Sequence, residues 1–166
     1  MAYPQLLEQA KAVFSTICQT FDDCKWDYRK NTEELSIEIH FTGGCMPLAI
    51  LVRVDAEQGA VTVSSKLPFD VPPEVRAEVG VAINTINTRL HNGCFRYHLT
   101  TGEIHWWLTC SFLGCVFGSA TIRYAIGIAC ETMEIFNIAL LAMTQGALTL
   151  EQFLAEMDNQ GGSNDG

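Results

Sequence analysis

Hydrophobic and polar positions change period several times along the chain. Over residues 5–21 the apolar positions Leu6, Leu7, Ala10, Val13, Phe14, Ile17 and Phe21 fall within one arc of a helix, which predicts an amphipathic helix opened by Pro4. The period then drops to two. Trp26 and Tyr28 alternate with Asp27 and Arg29, and after a polar turn at 31–34 the pattern resumes with Leu35, Ile37, Ile39 and Phe41. This predicts a β-hairpin with one buried face, in which Tyr28 stands opposite Ile37 and Trp26 opposite Ile39.

Gly43, Gly44 and Pro47 punctuate the chain before two further strands, expected at 48–54 and 61–67 around a turn at 55–60. Pro68, Pro72, Pro73 and Glu74 end the second of these and open a helix that presents Val75, Val79, Ile83, Ile86 and Leu90; Asn92-Gly93 stops it. A second hairpin follows, with Phe95, Tyr97 and Leu99 facing inward, a turn at 100–103, and Ile104, Trp106, Leu108 and Cys110 returning. Ser119 is placed to cap a long helix reaching about residue 145, with Gly146 as its stop. Thr149 and Gln152 form a capping box for a last helix to about Met157. The expected fold is α+β, an antiparallel β-sheet with flanking helices, in one domain over residues 1–158. The polar, glycine-rich 159–166 are expected to be a disordered tail.

With 48% apolar and 17% charged residues, the chain has the composition of a folded domain. Its net charge of −9 argues against nucleic acid as a partner, since phosphates need a basic face. The first basic residue is Lys11, so no secretory or transit segment is expected. The stretch 104–122 has no fixed charge, but its polar residues and strand-like alternation argue against a membrane span. Seven scattered cysteines without a C-x-x-C pair predict reduced thiols in a cytoplasmic protein.

One local pattern carries a resemblance. It runs from Pro72-Pro73-Glu74-Val75-Arg76-Ala77-Glu78 through Asn84-Thr85-Ile86-Asn87 to Asn92-Gly93-Cys94-Phe95-Arg96-Tyr97-His98-Leu99 and Gly102-Glu103-Ile104. This resembles the YbjN-type family of bacterial sensory transduction regulators, whose fold is similar to that of type III secretion chaperones. The likeness of detail covers about residues 68–110, and the rest agrees in element order. The resemblance implies a dimeric, acidic, non-enzymatic domain that binds other proteins, with no catalytic residues; no cofactor is expected.

Read for chemistry, the chain has no phosphate-cradling glycine loop and neither G-x-S-x-G nor H-E-x-x-H. Glu131 and Glu134 are read as part of a solvated stripe, because a di-iron site would need matching Glu and His on neighbouring helices. In the second hairpin, the expected loop sets His98 opposite His105 and Arg96 opposite Trp107, on the sheet face away from the core. Two histidines with Cys94 beside them still lack the remaining metal ligands, so no metal is expected. A Cys94–His98 nucleophile pair lacks an orienting acid. Asn87 flanks the apolar arc of its helix, where its amide could bond a strand end; Asn84 and Asn87 are read as structural rather than ligand-binding.

The long helix carries two apolar stripes. Ile122, Ala125, Ala129, Met133, Phe136, Leu140 and Met143 make the first, and Tyr124, Ile128, Ile135 and Ala142 make the second. The second is either covered by the last helix and the 111–118 loop or forms a subunit interface. The reading is a dimeric protein-binding or chaperone-like regulatory module, with Leu51, Trp107, Tyr124, Ile128 and Ile135 as its partner or dimer surface. The alternative is a small-molecule sensor or enzyme with a pocket between sheet and helix, using polar residues such as Arg96, His98 and His105.

Overall fold

A computed structural model describes residues 3–161 of the chain. Helix α1 (Tyr3–Asp23) buries Ala10, Val13, Phe14, Ile17 and Phe21. It ends in a Schellman motif: Lys25 adopts φ +56°, its N–H donates to the Asp22 carbonyl, and the Trp26 N–H donates to the Phe21 carbonyl, both at 3.0 Å. The accompanying apolar contact sets the Trp26 and Phe21 rings 5.1 Å apart, edge to face. Trp26 therefore belongs to the end of the helix, and the first hairpin begins two residues later than expected.

That hairpin pairs β1 (Tyr28–Asn31) with β2 (Ser36–Phe41), and Tyr28 stands opposite Ile39 rather than Ile37. The cause is local. Asn31 Oδ1 accepts the N–H groups of Glu33 and Glu34 at 3.0 and 3.2 Å, and Leu35 takes φ +47°, which draws Leu35 out of the strand and into the turn. A two-residue shift keeps Tyr28 on the core face, whereas a one-residue shift would have turned it to solvent.

The sheet continues through β3 (Leu48–Asp55), β4 (Ala60–Asp70), β5 (Cys94–Tyr97) and β6 (Glu103–Ser111) in the spatial order β1-β2-β3-β4-β6-β5, with every pairing antiparallel. Its covered face presents Ile37, Ile39, Ile50, Val52, Val61, Val63, Ile104 and Trp106, all buried. β4 reaches Asp70, beyond the expected Leu67, with an irregularity between Lys66 and Asp70. After a 3-10 turn at Pro73–Val75 comes α2 (Arg76–Asn87), which buries Val79, Ala82, Ile83 and Ile86.

Helix α3 (Ser119–Thr144) lies against the covered face and buries Ile122, Ala125, Ala129, Met133, Leu140 and Met143; Phe136 meets Phe95 edge to face. Its cap position is Gly118, with no side-chain capping bond, so Ser119 is the first helical residue and not the cap. By length and composition α3 could cross a membrane, but here its buried stripe packs on the sheet. The stretch 104–122 is strand, loop and the first turn of α3. Helix α4 (Leu150–Gly161) packs on α2 and starts with the reciprocal Thr149–Gln152 capping box, whose bonds are 3.0 and 3.2 Å. It runs past Met157 and takes in residues 159–161, which were expected in the tail. Residues 162–166 lie outside the described residues.

Candidate binding surfaces on the sheet and the long helix

All the helices that pack on the sheet cover one face and leave the other open. On the open face Glu38, Leu51, Ser64, Trp107 and Cys94 form one cross-strand row. Leu51 is 37% exposed and Trp107 half-buried. They stand two strands apart, about 10 Å at ordinary strand spacing. The neighbouring row holds Lys66, His105 and Arg96.

The second hairpin does not close as expected. Tyr97 pairs with Ile104 and Arg96 with His105, so the loop is residues 99–102 and His98 faces Glu103. Gly102 sets this register. It takes φ +85°, and a Cβ there would stand 2.2 Å from the Val71 carbonyl oxygen, so the chain turns at the glycine and the strand restarts at Glu103. Leu99 consequently falls in the loop, 61% exposed, and not in the core. His98 and His105 are thus diagonal neighbours. Arg96 reaches diagonally to Trp107, its Cζ 4.0 Å from the ring centroid. Among the described residues no group of three or more His, Cys, Asp or Glu is placed to hold a metal.

The other polar candidates separate cleanly. Asn87 donates from Nδ2 to the Phe95 carbonyl at 2.9 Å and accepts the Phe95 N–H on Oδ1 at 2.8 Å, closing the outer edge of β5 as a paired strand would. Asn84 is exposed on α2. Glu134 departs from the solvated stripe expected of it. Its carboxylate accepts the Cys45 N–H at 3.1 and 3.3 Å over the Gly43-Gly44 turn, where a Gly44 Cβ would meet it at 2.4 Å. The Cys45 thiol, followed by its N–H, holds the Glu134 carboxyl below its ordinary range, and the carboxylate in turn pushes the Cys45 thiol up. All seven cysteines are free, and burial pushes the thiols of Cys18, Cys110 and Cys130 up, away from the reactive thiolate.

The second stripe of α3 is covered only in part among the described residues. Tyr124 is 53% and Ile135 55% exposed, while Ile128 is half-buried against the core. Ile138, 47% exposed, belongs to the same surface. Counting angles along the helix from Tyr124 would have found it, since it lies one turn beyond Ile135. Gly127 sits between them with nothing within 4 Å of its Cβ position.

No family model matches the chain, and no curated protein matches it by sequence. Among solved structures it is similar to the crystal structure of YbjN, a candidate transcription regulator from E. coli. The TM-score is 0.55 at 12% identity, over 80% of this chain and 92% of that one. At that identity the likeness is one of architecture: this chain has a YbjN-like α+β fold.

Proposed function

We propose that this chain is a non-catalytic regulatory or chaperone-like module that works in the bacterial cytoplasm as a homodimer and binds other proteins. The observation that carries the reading is the group of exposed apolar side chains on α3, Tyr124, Ile135 and Ile138, which flank Gly127 and Glu131. A mid-helix glycine costs about 1 kcal/mol relative to alanine, and close approach of a second helix gives it a use. An antiparallel pair centred on Glu131 sets Tyr124 against the partner's Ile138 and Gly127 against the partner's Ile135; it also brings the two exposed Glu131 carboxylates together, a like-charge contact that weakens the pair and that salt screens. Six half-exposed side chains closing over one another contribute about 5–9 kcal/mol. The association cost, of order 4–15 kcal/mol, offsets most or all of this, so the expected dimer is a weak one that forms at high protein concentration. The open sheet face around Leu51 and Trp107 then stays free for another protein.

The second reading, a pocket between sheet and helix, has a place to act. A cleft of about 360 Å³ lies between the β2–β3 loop and α3, lined by residues that include Phe41, Leu48, Cys130 and Glu134. The Glu134 carboxylate there is already committed to the Cys45 amide, which favours a structural role.

Gly127→Gln tests the dimer reading by opposing signs. Glutamine is the better helix former by about 0.5–1 kcal/mol, so urea unfolding should show a sturdier fold. The same side chain fills the surface notch, so sedimentation equilibrium should show weaker self-association. Unchanged self-association would remove this face as the interface.

A further inference from the structure

The open sheet face holds a feature that pairing through α3 leaves unused. A cleft of about 240 Å³ on the β5–β6 hairpin is lined by Arg96, Tyr97, His98, Glu103, His105 and Trp107. Its guanidinium is placed unlike those of Arg76 and Arg89. Arg76 commits its donors to the carbonyls of Val71, Thr100 and Thr101, and Arg89 donates to the Met157 carbonyl and the Asp158 carboxylate. Arg96 instead stands over the Trp107 ring with its Cζ 4.0 Å from the centroid, and among the described residues no acceptor takes its N–H groups.

A guanidinium over an aromatic ring favours parallel stacking, and that leaves its in-plane donor edge free for a fork-shaped acceptor. The acid that lines the cleft does not compete. Glu103 is held by Lys66 Nζ, which also reaches Asp70 at 3.5 Å. Lys66, His105 and Arg96 stand in one cross-strand row, and because Lys66 is taken up by Glu103 and Asp70, Arg96 is the cation of the row left without a carboxylate. The Trp107 indole, steadied by its own 3.0 Å bond from Nε1 to Thr109 Oγ1, supplies an apolar wall beside the fork.

We propose that this cleft binds a carboxylate carried on a flat or branched apolar group. Two parallel N–H···O bonds from a guanidinium are the geometry a carboxylate fits, and an arginine already fixed by stacking loses less freedom on binding. Pockets for drug-sized ligands span about 300–1,000 Å³; this cleft is smaller and takes a group the size of one side chain. The carboxylate can come from a free small acid or from the C-terminus of another chain. Neither source depends on the dimer of α3.

The full-length protein, followed by NMR at the Trp107 indole N–H, tests this. The probes are benzoate, its neutral counterpart benzamide, and an N-acetylated peptide ending in phenylalanine as the free acid or as the amide. A saturable shift is expected with benzoate, at least about tenfold weaker with benzamide, and weaker by a similar factor in Arg96→Gln, whose remaining spectrum should match wild type. Arg96→Lys should fall between. A peptide acid that binds tighter than benzoate assigns the site to chain ends, and equal binding assigns it to small acids. Benzamide binding as well as benzoate, Arg96→Gln binding unchanged, or no saturable shift with either acid would overturn the proposal.

Discussion

Gly93 lies directly against the indole of Trp106: with φ +75°, a Cβ built on it would stand 2.5 Å from Trp106 Cζ2. Trp106 is fully buried at the centre of β6, and so has little room to retreat. Gly93→Ala meets two costs, about 1 kcal/mol for a left-handed backbone and about 1–3 kcal/mol for overpacking. Urea unfolding should show a loss of that size with the dimer constant unaffected. A variant as stable as wild type would mean that Trp106 moves aside freely.

Asn87 and Asn84 share a helix but not a role. Asn87→Ala leaves the Phe95 N–H and carbonyl without their partners, and the expected destabilisation is about 1–3 kcal/mol. Asn84→Ala, on the exposed side of α2, should stay within about 0.5 kcal/mol of wild type. Thermal melts of the two variants side by side make the comparison.

Much of this was legible in the sequence because the two periods, 3.6 and 2, were clean. Every helix and strand was expected in its order, and the Thr149–Gln152 box closes as its spacing said. Registers were less legible. Both hairpins pair two residues away from expectation, since Leu35 takes a left-handed backbone that side chains rarely adopt and Gly102 turns against a Val71 carbonyl distant in sequence. The motif that carries the family resemblance proves to specify folding. Arg76 ties down residues 100 and 101, Asn87 closes β5, Gly93 admits Trp106 and Gly102 admits Val71. Surface function was the least legible part. Leu51 and Trp107 meet on one row only through Ser64 of a third strand, and the Glu134 bond to Cys45 spans 89 residues.

The Lys66–Glu103 pair gives a pH dependence of known sign. A hydrogen bond from Lys66, with its charge, holds the Glu103 carboxyl below its ordinary 4.5, so the folded form prefers the ionised group. The stabilisation is present above that ordinary value and is lost as pH falls through the depressed one. Glu103 likewise raises the Lys66 pKa, and that share is lost only as pH climbs above 10.5. Carboxyl NMR should find Glu103 titrating lower than a free glutamate, and Lys66→Met should return it to the ordinary range. The pair is solvent-exposed, so salt should weaken the effect.

Self-association through α3 is the central claim, and sedimentation velocity from the micromolar into the millimolar range tests it most directly. Wild type should move from monomer to dimer as concentration rises. The double variant Ile135→Glu, Ile138→Glu should sediment as a monomer throughout, with circular dichroism unchanged because both positions are about half exposed. A wild type that stays monomeric over the whole range, or a double variant that dimerises as wild type does, would contradict the account.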